Sequence, residues 1–472
     1  MLNRFLFALI FLLSVCPILN AAEPIPKVGS AKVEITPIVG LGEPDVWLAG
    51  FNPNSKATDV HSKLWARGLT IKYEEKRVAI VALDLIGLFR DETLKIREEY
   101  AKANPDNPID YLIISSTHTH SGPDTIGYWG PLPKSGVNPE YQAKIRRGVL
   151  ATLKKCVENE RLARLRVGRT EIPELIGDSR LPNVIDQNFW ILTAEDAGGK
   201  ILATMMNWGI HPEVLNRDRR VVSSDFPGVV RDEIEKARGG VAIYVSGSVG
   251  GLTAPRFPKL DDLGQPFAEK RNDRVEQYGQ MVARRALAAT KDNEFFYGPV
   301  NFRKTEIEIP LNNPQFLIGF TIGAIKRETI RLSRELPDGK KTPPLLLSEV
   351  GLLTIGPVAM AIIPGELYPE LAIGGVQNPA DPGADFPNAP IEPLIFDQLP
   401  EFKYKLVFGL SNDMLGYIIP KRQWDREPPY CYGKPGPQYG EINSCGPEAA
   451  PIICEAFRKL AADLRKELKK PE

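Results

Sequence analysis

The feature that most constrains this chain is a series of short apolar runs, each of strand length and each stopped by a polar corner. Residues 77–85 (RVAIVALDL), 111–116 (YLIISS), 241–245 (VAIYV), 358–363 (VAMAII) and 404–410 (YKLVFGL) read as buried strands. Residues 189–193 and 201–208 read as a hairpin across the polar turn DAGGK at 196–200. Between them lie segments of helical period at about 91–103, at 144–158, from near Pro227, where proline suits a first turn, and at 274–291. A closing amphipathic helix shows Phe457, Leu460, Ala461, Leu464 and Leu468 on one face. Strands and helices alternate with no sequence repeat and no low-complexity linker. That order predicts an α/β fold, mixed β-sheets flanked by helices, in one domain over residues 23–472.

Residues 1–22 read as an export signal. Arg4 precedes an apolar run at 5–15 that is too short to span a bilayer, and the small residues Ala21 and Ala22 suit cleavage. The expected location is secreted or periplasmic. Lipid anchoring at Cys16 is the alternative, disfavoured by the valine at position 15. No other stretch is long and apolar enough to form a transmembrane segment. Lys+Arg and Asp+Glu balance at 59 each with no basic stripe, which excludes nucleic acid as the expected partner. Cys156 falls on the apolar side of a helix and reads as a buried thiol. Cys431, Cys445 and Cys454 cluster near the end without zinc-ligand spacing. After export a disulfide is allowed, and Cys431 with Cys445 is the expected pair, worth roughly 3 kcal/mol.

Five of the strands run into THTHSG (117–122), NWGIHPE (207–213), SGSVGG (246–251), PGE (364–366) and SND (411–413). Open α/β sheets place ligands outside the carboxyl ends of their strands, so these corners are expected to converge on one crevice. The chain has four histidines, and three of them, His118, His120 and His211, sit at these corners. Residues two apart on an extended chain face the same side, so His118 and His120 can address one centre. Neutral imidazole is the commonest protein ligand for zinc, and a distant carboxylate often completes such a site. Glu213, Asp225 and Glu366 all occupy suitable corners, and the pattern alone does not choose among them. A single histidine there would be read as a loop cap; three define a candidate metal site.

At these corners the sequence resembles the neutral ceramidase family, zinc amidases that split the N-acyl bond of ceramide. KVEITP (32–37) resembles the family's opening strand, and HSKLWAR (61–67) its HDxLxAR segment. THTHSGP (117–123) is close to identical with the family's most specific motif. His211-Pro212, PGE (364–366) and Gly416-Tyr417 match its second histidine, glutamate and tyrosine motifs, in the same order. The resemblance implies zinc held by His118, His211, Glu366 and Tyr417, with His120 beside the metal moving the proton. It also implies Arg180 and Tyr430 in the pocket, the tyrosine stabilising negative charge on the carbonyl oxygen. Without the resemblance, Tyr417 reads as a buried aromatic, Arg180 as an ion-pair partner and Tyr430 as a loop anchor beside Cys431.

Two departures matter. The family's GDxSP motif aligns with GGLTAP (250–255), so the acid is Gly251 and the hydroxyl, if retained, is that of Thr253. The chain also ends with a helix soon after the tyrosine motif, where full-length members carry a further β-sandwich; a short, bacterial-type form is expected. The expected activity is hydrolysis of ceramide or a related N-acyl lipid, with a membrane surface as one setting for it. The alternatives are a zinc hydrolase of a non-lipid amide or ester, and an idle relative that binds a lipid or glycan. Asp225, just before a helix, is expected to cap it, or else to hydrogen-bond a metal-bound histidine. Residues 314–335 have an apolar start and a basic amphipathic end. They are expected to pack as an ordinary helix, to line an acyl-chain pocket, or to rest on a membrane.

Overall fold

The computed structural model describes residues 24–468 apart from 216–219, 290–293, 337–338 and 340. The expected leader, with Cys16, lies outside the described residues.

Three sheets carry the fold, and each is built on the same plan. In the first, β1 (Lys27–Glu34), β2 (Trp65–Tyr73) and β3 (Lys76–Leu83) form an antiparallel meander, and β4 (Tyr111–Ser116) adds parallel to β3. The second repeats this with β5 (Arg164–Glu171), β6 (Asn188–Glu195), β7 (Ile201–Trp208) and a parallel β8 (Val241–Ser246). The third does so again with β9 (Val300–Pro310), β10 (Leu345–Ile355), β11 (Val358–Ile362) and a parallel β12 (Tyr404–Phe408). A parallel neighbour requires a crossover. Helix α1 (Arg90–Ala103) makes it in the first unit and α3 (Asp225–Arg238) in the second; a long loop with a short helix at Pro369–Ile373 makes it in the third. Each unit then closes with a long helix: α2 (Pro139–Glu158), α4 (Arg271–Ala288) and α6 (Ala449–Leu468). One further helix, α5 (Pro314–Thr321), lies between β9 and β10.

Side-chain parity explains how the units fit. Val78 and Ile80 of β3, Ile243 and Val245 of β8, and Val358 and Met360 of β11 all point into one core shared by the three sheets. Their neighbours in sequence point outward. Ala79 and Val81 face the core under α1 and α2, Tyr244 the core under α3 and α4, and Ala359 and Ala361 the core under α6. Strands buried on both faces read as continuous apolar runs, which is why these stood out in the sequence.

Parallel pairing brings the exits of the third and fourth strands of every unit to one end. There the units are stitched together: Ser116 N donates to Leu410 O (3.1 Å), Gly409 N to Ser246 O (2.9 Å), and Ser246 Oγ to Thr117 O (2.8 Å). The seam is tight. A Cβ on Gly409 would lie 2.4 Å from the carbonyl oxygen of Gly247, so no larger residue fits there.

Three expectations need correction. Cys431, Cys445 and Cys454 are free, buried thiols, so the Cys431–Cys445 disulfide is not formed. Cys445 and Cys454 sit in the apolar core under α6, while Cys431 is held in a loop by the hydrogen bond its backbone N–H donates to Asp425 Oδ1 (3.1 Å). Burial pushes the Cys431 and Cys445 thiols up to about 12, which makes them poor nucleophiles. Reductant is therefore expected to leave the thermal unfolding midpoint unchanged, and a thiol reagent to react with all of Cys156, Cys431, Cys445 and Cys454 only after denaturation. Residues 314–335 form no long helix: α5 stops at Thr321, Gly323 turns the chain at φ +74°, and Arg327 is drawn into a buried ion pair with Asp413 (2.6 Å). Asp225 does more than cap α3: with φ +52°, it accepts from the Phe226 amide at the start of the helix (2.7 Å) and also from the amides of Val214 (3.1 Å) and Leu215 (3.0 Å), pinning the loop that carries His211. Among the described residues, no helix is long and apolar enough to cross a membrane.

Candidate metal centre

His118 follows β4 by two residues, His211 follows β7 by three and Glu366 follows β11 by four, so each unit sends one side chain into the seam. His118 adopts a left-handed backbone, φ +68°, as does Leu410 at the equivalent point after β12, φ +51°. Such a conformation is costly for a residue with a Cβ and persists where surrounding structure dictates it. Both histidines are buried, and both are tied through Nδ1: His118 to Ile86 O (2.6 Å) and His211 to Thr253 O (2.7 Å). An imidazole that donates Nδ1–H to a carbonyl keeps its Nε2 lone pair for another partner, as metal-binding histidines do. Both Nε2 atoms converge on one carboxylate oxygen, Glu366 Oε2, at 3.3 Å from His118 and 3.2 Å from His211. The Tyr417 hydroxyl lies 3.5 Å from His211 Nε2 and arrives from the short strand Tyr417–Ile418, which pairs with Glu366–Leu367.

His120 completes the cluster. Its ring is 5.0 Å from that of His118 and 5.4 Å from that of His211, and potential ligand atoms of the three histidines lie within 4.8 Å of one another. Neither ring nitrogen of His120 has a hydrogen-bond partner although both are buried, an orphaned state that proteins avoid unless a ligand or ion is intended. Its Nδ1 is 3.6 Å from Glu213 Oε2, and its ring packs edge-on against Phe51. Gly50 makes room for it: with φ +106°, a Cβ there would stand 2.5 Å from the imidazole.

The electrostatics are those of a cation site. Burial raises the carboxyl of Glu366, but the charges and hydrogen bonds of His118 and His211 overcome it and hold the group well below the usual carboxylate range. Burial, reinforced by the two neighbouring imidazoles, keeps His120 neutral. Burial and the charge of Glu366 push the Tyr417 phenol well above 10, a direction that a dication alongside reverses. Two imidazoles tied through Nδ1, one carboxylate and a phenol fit a divalent zinc ion by donor type, the ion replacing the protons that Nε2 and the phenol would give up. Three histidines and the carboxylate would suit it equally by donor type.

The remaining expected residues fall elsewhere. Thr253 Oγ1 donates to Val249 O (3.0 Å), so its hydroxyl is spent and it acts through the carbonyl that fixes His211. Arg180 does not line the cavities at the centre. Its guanidinium is buried against Glu441 (2.7 and 2.9 Å) and donates to the carbonyls of Tyr439 (2.7 Å) and Gln423 (2.8 Å). Tyr430 is half-buried at the start of the turn Cys431–Gly433 and also lines neither cavity. A tyrosine that the sequence reading missed, Tyr439, lines both cavities at the centre. Its ring is 6.1 Å from that of Tyr417, it accepts from Asn443 Nδ2, and burial with the charge of Glu366 pushes it up to about 12. No motif marks it; the Arg180–Glu441 pair puts it there.

A cavity of about 770 Å³, counted to its open mouth, ends on His118, His120, Glu366 and Tyr417. Its walls are apolar, with Phe89, Ile126, Trp129, Phe316, Phe320 and Met414 among them. Residues 316 and 320 come from α5, so this part of the 314–335 segment lines a pocket.

No family model matches the sequence, and no curated protein matches it. Solved structures do. The neutral ceramidase of Pseudomonas aeruginosa superposes with TM-score 0.71 at 16% identity, over 95% of this chain and 76% of that one. A ceramidase described as complexed with C2 gives TM-score 0.71 at 16% identity, over 94% and 76%. The chain has a neutral-ceramidase-like fold, mixed sheets with flanking helices.

Proposed function

We propose that the chain is an exported, zinc-dependent hydrolase of N-acyl amides with a lipid-like acyl arm, and that residues 23–472 act as one catalytic unit. The observation that carries this reading is the meeting of His118 Nε2, His211 Nε2 and Glu366 Oε2 at the floor of an apolar cavity. In this reading His118, His211, Glu366 and Tyr417 are the ligands. Zinc held there supplies Lewis-acid chemistry, acidifying water and polarising a carbonyl. His120, neutral and unpartnered, takes the proton from the attacking water and returns it to the amine nitrogen as the carbon–nitrogen bond breaks. Tyr439 donates its hydroxyl to the oxygen that gains charge. Tyr439→Phe is expected to lower kcat by about a hundredfold, the usual loss for one such donor, with metal content unchanged. Steady-state kinetics beside elemental analysis checks this.

The direct test of the function is hydrolysis of a dodecanoyl amide and the matching dodecanoyl ester by zinc-loaded protein, before and after chelation. Zinc-dependent cleavage of the amide supports the assignment. Cleavage of the ester alone, or of the amide by fully chelated protein, refutes it.

A further inference from the structure

Helix α5 is apolar on both of its sides, although it lies at the surface. Phe316 and Phe320, one turn apart, line the cavity that ends on the metal centre. Ile318, on the opposite side, and Ile322, one turn further on at the helix end, are 59% and 42% exposed. The two polar side chains of the helix are engaged already: Thr321 Oγ1 donates to Leu317 O (2.7 Å), and Gln315 Oε1 accepts from the Tyr128 hydroxyl (2.8 Å). A helix that is apolar all round is ordinarily buried. One exposed isoleucine needs no explanation, but these are not isolated. Asn313, which caps α5, ties it to the turn Glu441–Asn443 by donating Nδ2 to Ile442 O (2.7 Å), and Ile442 is itself 42% exposed. The loop at 127–136 packs on the helix through Tyr128 and Phe316, with ring centroids 6.1 Å apart, and exposes Leu132. Tyr128 and Trp129 of that loop line the same cavity and are only half-buried, which places them at its mouth.

The charge around this region has one sign. Lys134 on the loop and Lys326 just past α5 are exposed, and neither 127–136 nor 314–327 contains an acid. The first acid beyond, Glu328, pairs with Lys95 (3.1 Å). Exposed aliphatic side chains, aromatic residues with polar tips, and lysines together make the composition of a surface that sits in a lipid interface. We propose that α5 and the 127–136 loop dock on an anionic lipid surface, with Ile318 and Ile322 entering the acyl boundary and Lys134 and Lys326 meeting the head groups. Docked in this way, the cavity mouth faces the lipid, and a hydrocarbon arm passes into the cavity without crossing water. That delivery role rests on the amide-hydrolase reading; the docking itself needs no catalysis.

Co-sedimentation of the full zinc-loaded chain with vesicles, no substrate present, tests the docking. Vesicles of equal phosphatidylcholine and phosphatidylglycerol are expected to bind it at least about tenfold more tightly than phosphatidylcholine alone, since each lysine near an anionic surface contributes roughly fivefold. Ile318→Asp with Ile322→Asp is expected to lower binding to the mixed vesicles by at least about tenfold, and Lys134→Glu with Lys326→Glu to remove the preference for them. None of the four side chains lines the cavity, so both variants are expected to cleave a water-soluble butanoyl amide within about twofold of the parent chain. Cleavage of a dodecanoyl amide carried in the mixed vesicles is expected to fall with the binding, by at least about tenfold. No binding by the parent chain, or equal binding by the isoleucine variant, overturns the inference whatever the amide assays give. Vesicle binding with neither amide cleaved refutes the amidase reading and leaves the docking standing. A dimer in lipid-free buffer that the isoleucine variant dissolves assigns this face to a second copy of the chain, and overturns the inference.

Discussion

Substituting His118 by alanine is expected to abolish metal binding and hydrolysis together. The imidazole supplies one of two nitrogens that converge on Glu366 Oε2, and its loss leaves a buried carboxylate facing one imidazole. Zinc content measured on purified protein is expected to fall from about one per chain to below about a tenth, and kcat/KM by at least about a thousandfold, given several kcal/mol of stabilisation from a bound metal. Because His118 sits at φ +68°, part of any loss of stability would come from the backbone. His211→Ala, free of that complication, is the companion, and both variants must lose the metal. Retention of stoichiometric zinc by either would remove that histidine from the ligand set.

The second large effect concerns stability. Arg180 and Glu441 form a bidentate pair with both side chains almost fully buried, 1% and 2% exposed. Removing one partner strands the other charge, so Arg180→Ala is expected to cost about 3–5 kcal/mol in denaturant unfolding. Replacing both, Arg180→Met with Glu441→Leu, is expected to restore most of that stability, since a buried pair adds little over well-packed apolar side chains. It should not restore kcat. The pair holds the carbonyl of Tyr439 and the amide of Asp425, and without it Tyr439 loses its place beside Tyr417. Recovery of stability without recovery of turnover separates positioning from folding; recovery of both would contradict the role given to the pair.

Much of this was legible in the sequence, for physical reasons. The strands β3, β4, β7, β8 and β11 are buried on both faces, so their composition gives them away, and the residues that follow them must lie at the carboxyl end of a sheet. His118, His120, His211 and Glu366 could be read on that basis. β9 could not: as an edge strand with Lys304, Glu306 and Glu308 exposed on one face, it lacks an apolar run. The repeated strand plan was hidden too. The exits after β3, β7 and β11 read DLI, GIH and IPGE, so equal topology is carried by unequal residues. Tyr439 was missed and Tyr430 preferred because this stretch is a series of short turns, with no period to reveal direction. Its path is set by Arg180, more than two hundred residues earlier, through bonds that no local pattern encodes.

Sharing of the ligands among three sheets has a consequence for how the molecule matures. The two imidazoles and the carboxylate that meet come one from each unit, so a partly assembled chain offers at most a pair of candidate donors, His118 with His120 or Glu366 with Tyr417. Tight capture of an ion there would therefore report that all three units have docked. A bound ion would in turn lock them, since whatever binds only the assembled form stabilises it. Chelation should accordingly loosen the whole molecule along its seam, and only finished molecules would carry out the reaction.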